Sequence, residues 1–306
     1  MSRAVTNDET GQRSYHDLPL DPPRPVRSVT SILSAGTPKP ALINAAGKVN
    51  RERTCDVAHD LALEYVAAGN DFGEFGFSLW QAVEKRAFHN EAWKKKASVG
   101  AVVHYAIERD IKLALGLVAP ALPWDETPDY AELPEEHRVM CHDAVRSWDA
   151  FREEAAFEPL ASEEVVWIAG ARHSHDGCAD KVWVGYPVPV MQHDCAARLD
   201  VLAVVGGRRM VLDVKTGSGV YPEHWLQVEF QRRASNVREL CGGKFVSAGI
   251  LHVPASGGSV RLYDQEGTGL TAAERKKYGL PRDRDRDLEA LDYAAGIAEW
   301  SLGVAK

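Results

Sequence analysis

Apolar residues follow two patterns along this chain. In "CDVAHDLALEYVAAG", Val57, Leu61, Tyr65 and Val66 recur at helical spacing and the pattern stops at Gly69. "FSLWQAVEKRAFH", "EAWKKKASVGAVVHYAIERDIKLALGL" and "LPEEHRVMCHDAVRSWDAFREEAAF" continue in that style, interrupted by the proline-rich loop "APALPWDETPDY". Near Glu164 the pattern changes. "EVVWIAG", "KVWVGYPVPVM", "LDVLAVV" and "RMVLDVKT" are short, β-branched runs separated by Gly and Pro, and they read as strands. The helix "PEHWLQVEFQRRASNVREL" follows, with Pro222 in its first turn. "KFVSAGILHVP" and "SVRLYDQE" read as further strands. "DLEALDYAAGIAEWSLGVA" reads as a closing helix capped by Asp287, after a charge-balanced loop "RDRDRD".

At the other end, Ser28 is placed to cap a short helix through Ile32 and Leu33 that Gly36-Thr37-Pro38 ends. Residues 1–26 are polar and proline-bearing, which predicts a loose tail. The sequence thus predicts one α/β domain of α+β layered type over 27–306. Its helical part is 27–160 and its core, a mixed central sheet, is 161–306.

Composition narrows the picture. Of 306 residues, 45% are hydrophobic and 26% charged, the balance of a globular protein. No apolar run is long enough to cross a bilayer, and the N-terminus lacks the apolar segment of a secretory signal, so a cytoplasmic protein is expected. Five scattered cysteines with no C-x-x-C pair argue for reduced thiols and against an iron–sulfur cluster. A net charge of −8 argues against a surface coated with nucleic-acid-binding charge, but leaves room for a local basic groove.

The chemistry centres on "LDVLAVVGGRRMVLDVKT". If Gly206-Gly207 forms a two-residue hairpin turn, Val205 pairs with Arg208, and Asp200 then faces Asp213. Lys215 shares that face. The flanks, Val201 to Val205 and Val211, Leu212 and Val214, are apolar on both faces, as in a buried strand pair. Two facing carboxylates repel unless a cation lies between them, and hard oxygen ligands suit Mg2+ or Mn2+. With an adjacent lysine, this set of groups suits phosphodiester hydrolysis.

These residues resemble the PD-(D/E)XK nuclease superfamily, and within it the RecB-like and phage-encoded exonuclease branch. "AARLD" is similar to the strand ending in aGxxD, with Ala197 in place of glycine. "LDVKTG" matches the D/E-x-K strand. The next helix carries the Gln of Gln-x-x-x-Tyr as Gln227, with Gln231 in place of tyrosine. "VGAVVHYAIE" matches a G-x-x-x-H-x-x-x-E helix through Gly100, His104 and Glu108, and "SVTSILSAGTPKPALINAA" resembles the opening of phage members.

The resemblance implies a Mg2+- or Mn2+-dependent deoxyribonuclease, an exonuclease of phage recombination or repair type. An endonuclease using the same site, or a non-catalytic DNA-binding protein keeping the fold, are its alternatives. It implies that Asp200, Asp213, the Val214 carbonyl and His104 hold the metal. Lys215 would orient water and stabilise developing charge, and Gln227 would position the lysine or the strand. Linear, end-bearing DNA is the implied substrate, with a recombinase or single-strand-binding protein as partner and the oligomeric state open.

Further candidates stand beside this set. Glu164 and Glu108 are possible extra acidic contacts. Lys94, Lys95, Lys96, Arg232 and Arg233 are candidate phosphate contacts, with solvated faces as the plainer reading. Trp183, Tyr186 and Trp225 could stack on bases, though aromatics beside a sheet are more often core. His173, His175, Cys178, His193 and Cys195 are zinc-ligand types without a known zinc spacing.

Overall fold

Gly206 and Gly207 turn the chain with φ of 55° and 80°, positive at both central positions as this tight hairpin requires. The turn joins β7 (Val201–Val205) to β8 (Arg208–Lys215) with Val205 opposite Arg208, the expected register. In this computed structural model the described residues are 3–36, 55–68 and 88–301, less 7–11, 21–22, 65–66, 121–123, 125–127, 171–190, 218, 235–236, 241, 244–245 and 256.

Around the hairpin a five-stranded sheet runs in the order β10-β9-β8-β7-β4. Its other members are β4 (Glu158–Ser162), β9 (Ser247–His252) and β10 (Arg261–Asp264). β8 and β9 are parallel and the other pairs antiparallel, so the sheet is mixed. Helix α5 (Pro222–Arg233) makes the crossover a parallel pair needs. It stops at Arg233; Val237–Leu240 is a separate short helix, α6, where the sequence predicts one continuous helix. The other helices are α1 (Val29–Gly36), α2 (Phe88–Ala114), α3 (Pro128–Ala131), α4 (Glu135–Glu154), α7 (Ala272–Tyr278) and α8 (Arg284–Ser301). The Ser28 hydroxyl accepts from Ser31 N–H at 3.1 Å, the expected cap of α1.

Alternation along the strands gives the sheet two apolar faces. Leu202, Val211 and Ile250 pack with Trp225, Val228 and Leu291 from α5 and α8. Val201, Ala203, Met210, Leu212 and Val214 pack against Val103, Ile107, Ala144 and Trp148 from α2 and α4.

Three expectations are corrected. The loose tail at 1–26 contains β1 (Arg3–Thr6) and β2 (Arg13–His16), which form an antiparallel sheet with β3 (Val26–Arg27). Tyr15, Leu18, Leu20 and Val26 bury against Ala196, and that burial offsets the cost of ordering a polar segment. The single domain over 27–306 is instead two compact units: residues 1–37 with 99–306, and residues 38–98, where 55–64 are helical. The "RDRDRD" loop lies largely in the first turn of α8, capped by Asp283, which accepts from Arg286 N–H at 3.2 Å. Asp287 is inside the helix and pairs with Arg282.

Candidate active site

Strand alternation sets Asp213 on the face of the sheet covered by α5, while its neighbours Leu212 and Val214 point to the α2 face. Asp213 is fully buried, at 0% exposure. Its Oδ1 accepts from Gln227 Nε2 at 2.9 Å, and its Oδ2 lies 2.7 Å from Lys215 Nζ. The ammonium is thus the counter-ion of the buried carboxylate. Gln227 also receives Lys215 Nζ on its Oε1 at 3.5 Å, which ties the strand pair of charges to α5.

Asp200 follows β6 (Cys195–Arg198) and precedes β7. Its Oδ2 accepts from Val214 N–H at 2.8 Å, and Ser162 Oγ donates to its carbonyl at 3.0 Å. Its charge acts on Asp213, so the two carboxylates are brought together as the register predicts. Burial, with Asp200 adding, raises the Asp213 pKa to about 7 against the pull of Lys215. Burial works against the charge of Lys215, but Asp213 and Asp200 outweigh it and hold its pKa above the ordinary value.

His104 comes from α2, on the opposite layer. Burial lowers its pKa, with Lys215 adding; Asp200 and a hydrogen bond with the Val214 backbone act the other way. The imidazole is therefore neutral near pH 7, the form that can ligate a metal. Gly100 explains the close approach of α2. A Cβ there would lie 2.6 Å from Thr216 Oγ1, just beyond Lys215, so a larger residue would push the helix away. Glu108, one turn beyond His104, pairs with Lys112.

Of the adjacent pair Glu163 and Glu164, Glu163 is the one whose carboxylate is drawn toward the cluster. Glu164 is exposed, whereas Glu163 lies 2.6 Å from Arg198 and its carboxylate feels both Glu108 and Asp200. Burial raises its pKa to about 7. Glu163 has φ of 61°, a left-handed conformation that costs about 1–2 kcal/mol in a non-glycine residue. It sits where the chain leaves β4 for β5 (Val165–Ile168).

Other candidates fall outside the cluster. Arg232 and Arg233 both pair with Glu229, which is 0% exposed; they neutralise a buried carboxylate and are not free phosphate contacts. Gln231, at the tyrosine position, is also 0% exposed and donates to the Arg198 carbonyl at 3.2 Å, a structural tie. Trp225 is core, at 1% exposure, and cannot stack on a base. His193 Nδ1 lies 2.8 Å from Asp292 Oδ1, and Cys195 is buried on β6. Lys94, Lys95 and Lys96 lie along α2, but their side chains are outside the described residues, as are Trp183, Tyr186, His173, His175 and Cys178.

Among the described residues no group of three or more His, Cys, Asp or Glu side chains closes around a point that could hold an ion. The donor types nevertheless suit a hard divalent ion: two carboxylates, a backbone carbonyl and a neutral imidazole. Asp213 Oδ2 is buried against the Lys215 ammonium, which a divalent ion would have to displace. No protein-family model matches this chain, and no curated protein sequence matches it. Among the described residues no helix is long and apolar enough to cross a membrane.

Proposed function

We propose that this chain is a divalent-metal-dependent nuclease that hydrolyses DNA phosphodiester bonds, with a core of PD-(D/E)XK type. The observation that carries the reading is the meeting of Asp200, Asp213 and Lys215 on one face of a buried hairpin, with Gln227 bridging Asp213 and Lys215. A fully buried carboxylate facing a second one is costly as a structural device, and the interior offers no reason for it. The order α2, β7, β8, α5, β9, with β8 and β9 parallel around α5, supports the same reading.

In this reading Asp200, Asp213, the Val214 carbonyl and His104 hold Mg2+ or Mn2+, which supplies Lewis acidity toward a phosphoryl oxygen and its attacking water. Lys215 orients that water and stabilises charge developing on the phosphate. Gln227 holds the lysine and Asp213 at fixed spacing. The preference for DNA ends, and a recombinase or single-strand-binding partner, rest on the resemblance alone.

The test incubates the purified chain with end-labelled linear DNA and covalently closed circles, with and without Mg2+. Metal-dependent loss of linear DNA with circles intact is expected. Cutting of circles would replace the exonuclease reading by an endonuclease, and DNA binding without cleavage would overturn the enzymatic reading.

A further inference from the structure

The proposed reaction brings a polyanion to a site that is itself acidic. Glu108, Glu163, Asp200 and Asp213 act on one another there, in a chain of net charge −8. Cations of the protein must therefore grip the strand near the site. Several described basic groups are already engaged: Lys215 by Asp213, Lys112 by Glu108, Arg232 and Arg233 by Glu229.

Arg198 differs. It ends β6, two residues before Asp200, and its side chain is 48% exposed. Its Nε lies 2.6 Å from Glu163 Oε2. Among the described residues its side chain has no other ion-pair partner. A guanidinium held at Nε keeps its outer edge available, and that edge matches two oxygens of a phosphate.

The N-terminal strands bring a second arginine to the same place. Ser28 bridges Ala196 of β6, and its N–H donates to the Arg13 carbonyl at 3.0 Å. Arg13 is exposed at the start of β2. Arg13 and Tyr15 share one face of β2, and Tyr15 packs on Ala196, two residues before Arg198; Arg13, Arg198 and Glu163 all act on the Tyr15 hydroxyl. This gives β1–β3 a use beyond packing.

We propose that Arg198, with Arg13 beside it, grips a backbone phosphate of the DNA strand next to the catalytic carboxylates, and that Glu163 positions Arg198 for this. The assignment rests on the nuclease reading. It makes Arg198 a substrate-binding residue whose removal weakens DNA binding without touching the carboxylate pair.

The experiment titrates a labelled linear oligonucleotide onto the full chain carrying Asp213→Asn, so that binding is measured without cleavage, over a range of salt. Arg198→Ala is expected to weaken binding about tenfold and to lower the slope of log affinity against log salt by about 1. Arg198→Lys, which keeps the charge without the fork, should fall between, and it serves if the alanine variant does not fold. Arg13→Ala should weaken binding in the same direction by less. Glu163→Gln should leave the salt slope unchanged while altering affinity through the freed guanidinium.

Unchanged affinity and salt slope in both Arg198 variants, with the parent binding DNA, would overturn the assignment and leave Arg198 as a counter-ion of Glu163. A loss of binding that follows thermal stability, and is restored with it by adding Glu163→Gln to Arg198→Ala, would do the same. A parent that binds no DNA at any salt would overturn the nuclease reading as well, so the two failures are distinct.

Discussion

Lys215 Nζ stands 2.7 Å from Asp213 Oδ2 inside the sheet, so the buried carboxylate carries its own counter-ion two residues away on the same strand. The ammonium competes with any divalent ion for that oxygen. Lys215→Met is therefore expected to abolish cleavage yet bind Mn2+ several-fold more tightly than the parent, read by calorimetry or by the spin resonance of free Mn2+. The metal-free variant should lose about 3 kcal/mol of stability, the low end for breaking a buried pair, because Asp213 can take up a proton instead. Weaker metal binding in the variant would show that the lysine does not compete.

The raised pKa of Asp213 makes the metal-free protein sensitive to pH in a stated direction. Its carboxyl titrates at about 7 in the folded chain, against 3.8 for an unperturbed aspartate, so folding tightens its hold on the proton. That contribution to stability is complete below about 4 and is lost as pH rises toward 7. Asp213→Asn should remove up to one proton's worth of this slope, about 1.4 kcal/mol per pH unit. At pH 8 the variant should be at least as stable as the parent. Denaturant unfolding of both at several pH values between 4.5 and 8 checks this; Glu163, raised for the same reason, supplies the slope that remains.

Metal affinity should rise with pH over the same window. Cation and proton compete for Asp213, so binding releases a proton below about 7 and none well above it. Calorimetry with Mg2+ in two buffers of different ionisation enthalpy counts the protons. Release that persists unchanged at pH 9 would assign it to another group.

The contact between Gly100 and Thr216 can be tested by a pair of substitutions. Gly100→Ala places a methyl 2.6 Å from Thr216 Oγ1 and should cost about 1–3 kcal/mol, with a loss of activity as His104 shifts. Thr216→Ala removes the clashing oxygen, so the double variant should recover most of that stability. Additive losses would place the strain elsewhere.

Glu163 and Glu164 are separable. Glu163→Gln should lower cleavage at least tenfold or shift its pH profile, whereas Glu164→Gln should behave as the parent, since its side chain is exposed. A kinetic comparison across pH 6 to 9 distinguishes them.

The central hairpin and the meeting of Asp200, Asp213 and Lys215 were legible in the sequence because one local signal governed them. The Gly206-Gly207 turn fixes register, and unbroken apolar flanks mark burial. β1 to β3 were not legible: they span four, four and two residues, and their apolar positions make sense only against Ala196, far along the chain. Glu163, and not Glu164, is drawn toward the carboxylates, and its left-handed backbone is a feature no periodicity announces. Arg232 and Arg233 misled because pairs at i+3 and i+4 fit a solvated face as well as they fit a buried Glu229.

Asp200 lies six residues before Gly206 and Asp213 six after Gly207, so the tip of the hairpin works as a ruler for the chemistry at its far end. A surface turn is ordinarily where a chain accepts insertions most freely. Here one added residue would leave a foldable hairpin while turning one strand over, sending one carboxylate into the oily layer beneath α2 and α4. An exposed turn is thereby among the least negotiable parts of the chain in length.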